Sequence, residues 1–172
     1  MPIIAKPTAR ETITPVIQAI TASNGDKING QIANTVFQIT SKPPTLAVSI
    51  NKENYTHEFI KEGRSLAVNV LDRDTGMVFI GRFGFKCGRD IDKFDGVKYH
   101  LSSLGNPILE ENSTAFMEVR IDKEVDVGTH TIFIGEVVDA DIQSDGEPLT
   151  YAHYRLVKKG KAPKTAPTYI EE

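Results

Sequence analysis

VGTHTIFIGEVVDA, from Val127 to Ala140, is the stretch whose reading decides the fold. β-Branched and aromatic residues dominate it, which suits a pleated strand with one face against a core. The segment before it, STAFMEVRIDKEVDV (Ser113–Val127), alternates in the same way. Phe116, Val119 and Ile121 are expected inside, and Glu118, Arg120 and Asp122 in water. Two long strands joined end to end predict an antiparallel pair. His130 stands at the head of the second strand, just after Gly128-Thr129. A histidine there is commonly a surface or satisfied residue. The other reading is a polar group aimed into a ligand site at the rim of a barrel.

Outward from that pair, the chain reads as short strands separated by turn signals. PVIQAITASNGDKINGQIANTVFQITS is strand, turn, strand, turn, with Ser23-Asn24-Gly25-Asp26 as a hairpin because Asn and Gly tolerate positive φ. Pro43-Pro44 punctuates before the strand Thr45–Asn51, and Ser65–Leu71 is a further strand. Tyr55–Gly63 reads as a short helix ending in glycine, with Thr56 as its N-cap. Asp74–Phe83 is a candidate helix weakened by its glycines, and Lys98–Leu104 a weak strand. This pattern predicts a mainly β fold, an antiparallel split β-barrel with a few short helices. No GxGxxG follows a strand, which argues against a built-in Rossmann domain.

The bulk composition narrows the function. The 172 residues are 40% hydrophobic and 25% charged, which suits one globular domain, expected over residues 1–158. Met1 to Thr14 reads as an arm, and 159–172, rich in Lys, Pro and Thr, as an extended C-terminal tail with no core of its own, able to wrap a partner subunit. Twenty basic and 23 acidic residues leave a net charge of −3, so nothing electrostatic invites nucleic acid or an anionic membrane. No apolar run is long enough to span a bilayer and no signal peptide opens the chain, so a cytoplasmic protein is expected. One cysteine excludes an internal disulfide framework, and the four histidines lack metal-ligand spacing, so no metal site is expected.

Three further segments carry candidate chemistry. Asn29–Pro44 gathers Asn29, Gly30, Asn34, Thr35, Gln38 and Ser41 around strands and turns. Such residues offer donors and acceptors to a planar heterocycle or sugar chain, although ordinary hairpin chemistry accounts for them as well. Ser49–Phe59 ends a strand in Ser49, Asn51 and Lys52 and opens a helix at Thr56-His57, a place that suits a phosphate or is a plain N-cap. Gly81–Phe94 sets Arg82, Lys86, Arg89 and Lys93 among glycines and phenylalanines. That mixture suits an anion or a solvated loop over core aromatics. Cys87 is read as a packing residue before a reactive thiol.

Taken in order, these motifs resemble the flavin reductase-like family, the FMN-binding split barrels. The order is NG-x-x-AN-T, a Pro-Pro turn, a strand ending in Asn, Thr-His opening a helix, A-V-N-V-L, G-R-D-x-D-K-F and G-x-H-T-x-F-x-G-E-V, over roughly Pro15 to Ala140. The similarity is greatest to the branch of flavoredoxins, ferric reductase-type enzymes and the flavin domain of high-molecular-weight rubredoxin, where a KTAPTY-like segment also occurs. The resemblance implies FMN held non-covalently at a homodimer interface. It implies Ile32, Ala33, Asn34 and Thr35 along the isoalloxazine edge, with Asn29 nearby. Ser49, Ile50, Asn51 and Lys52 would follow the ribityl chain and phosphate, and Thr56 and His57 the phosphate end. Cys87, Gly88, Arg89, Lys93 and Phe94 match the Ser-Gly-Arg…Asp-Lys-Phe loop, with Cys87 where many relatives carry serine. His130 matches the catalytic histidine beside the nicotinamide. The implied activity is hydride transfer from NADH or NADPH, with electrons passed to free flavin, a ferric complex or a small redox protein. An FMN electron carrier reduced by another redox protein is the alternative, and a non-enzymatic barrel binding module is a third.

Overall fold

The computed structural model describes residues 16–169. The expected arm Met1–Thr14 lies outside the described residues. Seven strands form one antiparallel sheet: β1 (Gln18–Asn24), β2 (Lys27–Ala33), β3 (Val36–Ser41), β4 (Pro44–Asn51), β5 (Ser65–Leu71), β8 (Ser113–Asp126) and β9 (His130–Ile142). Their order is β2-β1-β5-β8-β9-β4-β3. β2 and β3 are therefore the two ends of the sheet, yet only Asn34 and Thr35 separate them in sequence. The chain steps from one end of the sheet to the other through those two residues, and that step is the split in the barrel. The main-chain N–H of Ser49 donates to the Thr35 carbonyl at 3.1 Å and ties the step to β4.

The hairpins follow the sequence closely. Gly25 adopts φ of 59° between β1 and β2, the left-handed region that a two-residue turn requires. β8 and β9 form the longest ladder, running from Ala115 opposite Ile142 to Asp126 opposite Thr131. Along β9, Thr131, Phe133 and Gly135 are buried in alternation, as a half-buried strand demands. Three helices complete the fold: α1 (Tyr55–Gly63), α2 (Met77–Phe85) and α3 (Tyr151–Leu156). A small two-stranded sheet, β6 (Tyr99–Leu101) with β7 (Pro107–Leu109), lies outside the barrel, and the second of those strands had no periodic signal in sequence.

The barrel interior is filled by Ile20, Val48, Leu66, Val68, Val119 and Phe133, closed by Phe59 and Ile60 from α1. A second cluster, with Phe83, Phe94, Tyr151 and Tyr154, sits where α2 and α3 meet the outer side of β1. No helix among the described residues is long and apolar enough to cross a membrane.

Two sequence expectations change here. The N-cap of α1 is Asn54, and Thr56 lies inside the first turn with its side chain buried. Glu118 was expected in water but is fully buried. It lies on the same outer face as Phe116, opposite the barrel-facing Val119 and Ile121, and the β6–β7 loop covers that face. There it accepts from Ser103 Oγ at 2.8 Å and Leu104 N–H at 3.0 Å, and from Ser102 Oγ. Alternation assigns Glu118 to the outer face, and only the tertiary structure shows that this face is covered.

Candidate functional site

A cavity of about 500 Å³ opens at the split, within the size range of small-molecule sites. Asn29, Ile32, Ala33, Asn34 and Thr35 reach it from the end of β2 and the step after it. Ser49 and Asn51 reach it from the last residues of β4, and Thr56 from the first turn of α1. The loop after α2 adds Cys87, Gly88 and, further on, Lys93. These residues lie far apart in sequence, and the barrel closure brings them together.

Asn29 holds the corner of the site. Its Nδ2 donates to Thr56 Oγ1 at 2.9 Å, fixing the start of α1 against β2. Gly88 passes so close that a Cβ there would stand 2.1 Å from Asn29 Oδ1. No larger residue fits without moving that asparagine.

Lys93 is buried, and its Nζ donates to the main-chain oxygens of Gly30 at 2.8 Å and Phe83 at 3.1 Å. Burial pulls its pKa from the ordinary lysine value to about 8. Lys86, Lys161 and Lys164 also line the cavity, against one carboxylate, Glu53. That excess of cations suits an anionic ligand.

Two residues of the lining carry a buried acceptor with no protein partner: Gln31 Oε1 and Asn34 Oδ1. Buried polar atoms without partners are uncommon, and two of them belong to residues of this one cavity lining. Together the cations, the hydroxyls and these acceptors fit a group that carries both a phosphate and a polar heterocycle.

The remaining residues predicted for this site lie elsewhere. Ile50 is buried in the barrel core. Phe94 packs edge-on against Phe83, with ring centroids 5.3 Å apart. His57 points under the barrel, where its Nε2 meets Thr131 Oγ1 at 2.8 Å and burial lowers its pKa. Arg89 pairs with Glu58 and lies over the Tyr55 ring, 4.2 Å from its centroid. Lys52 pairs with Asp126 at 2.6 Å. The last two belong to the rim.

His130 sits directly across the β4–β9 ladder from Asn51 but does not line the cavity. Its ring is half-buried, with Nδ1 and Thr129 Oγ1 2.8 Å apart. Burial lowers its pKa, while the adjacent main chain of Thr165 works in the opposite direction.

That contact exposes a feature the sequence reading missed. The stretch after α3 is no free tail: it returns across the cavity and lines it from Lys161 to Pro167 and at Tyr169. Asn51 Nδ2 donates to the Thr165 carbonyl at 3.1 Å, and Asn34 Nδ2 to Thr168 Oγ1 at 2.8 Å. Tyr151 and Tyr154 from α3, and Phe83 and Phe85 from α2, supply the apolar wall. None of these had a local signal, because Lys-Pro-Thr composition reads as solvated chain until the surface it covers is known.

Comparison with known proteins agrees with the fold. Residues 10–160 match the family described as flavin reductase like domain. The chain is 54% identical to high molecular weight rubredoxin of Moorella thermoacetica over 161 residues, 94% of this chain and 70% of that protein. It is 54% identical to the ferric-chelate reductase (NAD(P)H) of Archaeoglobus fulgidus over 149 residues, 87% of this chain and 88% of that one. Among solved structures, flavoredoxin from Methanosarcina acetivorans superposes with a TM-score of 0.68 at 28% identity, covering 78% of this chain and 74% of that chain. A fold of this topology, a cavity at its split and a match along most of the sequence agree: the chain belongs to the flavin reductase-like family.

Proposed function

We propose that the cavity at the barrel split holds FMN and that the protein is a flavin reductase-like oxidoreductase. It takes a hydride from NADH or NADPH and passes electrons to a free flavin, a ferric complex or a small redox protein. The observation that carries this reading is the convergence of Asn29, Asn34, Ser49, Asn51, Thr56 and Lys93 on one cavity. The relatives named as ferric-chelate reductase (NAD(P)H) and FMN reductase (NADH) support it.

The bound flavin would supply the hydride and electron chemistry. The chain's own residues have other tasks. The cations Lys86 and Lys93 attract and hold the phosphate. Asn34 and Gln31 offer acceptors to ring or ribityl donors, and the aromatic wall excludes water. His130, beside the cavity and held by Thr129, orients the nicotinamide donor. Its lowered pKa keeps it neutral at physiological pH, able to donate one hydrogen bond and accept another.

The working unit is a homodimer in this reading. The edge strand β3 presents Phe37, 56% exposed, and Ile39, and the β8–β9 hairpin presents Val125 and Val127. Exposed apolar residues on a sheet edge suit a second copy.

Purified protein should carry a yellow pigment that heat releases as FMN. An anaerobic visible spectrum before and after NADH or NADPH tests the activity. Bleaching by either donor supports the reductase. A flavin that only a redox protein bleaches supports the electron carrier. A protein that takes up no FMN at micromolar levels sinks both.

A further inference from the structure

We propose that residues 161–169 are a built part of the flavin site: a strap that closes over bound FMN and makes it a retained cofactor, not an exchanging substrate. This rests on the reading that the cavity is the FMN site.

The strap is anchored at both ends and in the middle. At its start, Tyr154 Oη donates to the Lys161 carbonyl at 2.7 Å, and Arg155 Nη1 to the Gly160 carbonyl at 2.9 Å. In the middle, Asn51 holds the Thr165 carbonyl at 3.1 Å. Near its end, Thr168 Oγ1 accepts from Asn34 at 2.8 Å and lies 3.3 Å from the Tyr151 hydroxyl. Thr168 is 8% exposed, a degree of burial foreign to a loose terminus. These anchors reach α3, β4 and the end of β2, so the strap crosses the cavity from one side of the split to the other.

Its composition serves that task. Pro163 and Pro167 restrict the free chain and reduce the entropy lost on docking. Two internal turns, Ala166 N–H to the Pro163 carbonyl at 2.9 Å and Tyr169 N–H to the Ala166 carbonyl at 3.1 Å, satisfy its backbone. Lys161 and Lys164 bring two cations to the cavity.

Asn34 indicates that the strap and a ligand share the site. Its residue lines the cavity, its amide nitrogen is engaged by the strap, and its buried Oδ1 has no protein partner. The same side chain is divided between a strap contact and a free acceptor. A ligand donor that fills Oδ1 would lock the side chain in the orientation that holds Thr168. Strap closure and ligand binding then favour each other, each by the same factor.

The test uses FMN as the probe. The full chain, a Thr168→Val variant and a chain ended after Lys159 are stripped of flavin. Each is checked for apo melting temperature, and FMN affinity and release rate are read by flavin fluorescence. Release should be about tenfold or more faster without the strap, and accelerated to a smaller degree in T168V, with association little changed. In the intact chain, FMN should slow tryptic cleavage after Lys161 and Lys164. T168V preserves a readable result if the shortened chain does not fold. Equal release from all three proteins, with no protection of the two lysines, overturns the strap while leaving the flavin site intact. Tighter binding by the shortened chain also overturns it, since the segment would then compete with FMN. An intact chain that binds no FMN overturns the underlying site assignment instead.

Discussion

Asn51 Nδ2 donates to the main-chain oxygen of Thr165 at 3.1 Å, joining the end of β4 to a stretch of chain beyond the last helix. His130 stands across the ladder from Asn51, so the same contact brings the C-terminal chain beside the histidine at the barrel rim. In the proposed function, donor access, flavin retention and the position of His130 meet at this one point.

His130→Ala should slow flavin bleaching by the nicotinamide donor roughly 5- to 150-fold, the loss expected for one hydrogen bond of about 1–3 kcal/mol. FMN affinity should change much less, because the cavity is lined by other residues. A folded variant that bleaches at the normal rate would return His130 to a purely structural role.

Gly88→Ala should weaken FMN binding about tenfold or more while lowering stability by roughly 1–3 kcal/mol. The added methyl would displace Asn29, whose Nδ2 holds Thr56 at 2.9 Å. Titration with FMN and thermal melting of the apoprotein separate the two effects. Unchanged affinity would show that this corner of the cavity does not touch the ligand.

Lys93 predicts a specific pH dependence. Burial lowers its pKa from 10.5 to about 8. Between those values the unfolded chain holds a proton that the folded chain has shed. Stability of the apoprotein should therefore rise as pH increases from 8 to 10.5, by on the order of 3 kcal/mol, and this gain is absent below pH 8. Lys93→Met should remove the rise. Denaturant melts of both proteins across this range measure it, and parallel pH profiles would exclude Lys93 as the source.

Glu118→Ala should destabilise the fold by about 2–4 kcal/mol, because a buried carboxylate is lost together with the hydrogen bonds it accepts. Their donors include the Ser102 and Ser103 hydroxyls and the Leu104 N–H. The melting temperature should fall by roughly 5–15 °C, with FMN affinity per folded molecule unchanged. A melting temperature within a degree of the parent would show that water replaces the carboxylate at no cost.

Much of the barrel was legible in the sequence. Val127–Ala140 and Ser113–Val127 alternate because one face of each strand must be dry, and a period of two survives without any tertiary context. The turn at Asn24-Gly25 was legible because positive φ selects its residues. The resemblance drawn from ordered motifs also named Asn29, Asn34, Thr35, Ser49, Asn51, Thr56 and Lys93, which line the cavity. The tertiary structure decided what no local rule could. Glu118 is buried because the β6–β7 loop covers the outer face that alternation assigns to it. His57 and Ile50 sit beside cavity residues in sequence, yet pleat and helix geometry turn their side chains into the interior. The last stretch reads as solvated chain because it has no apolar face of its own. Its order comes from partners far away in sequence, Asn34 and Asn51, and only a closed barrel places both within its reach.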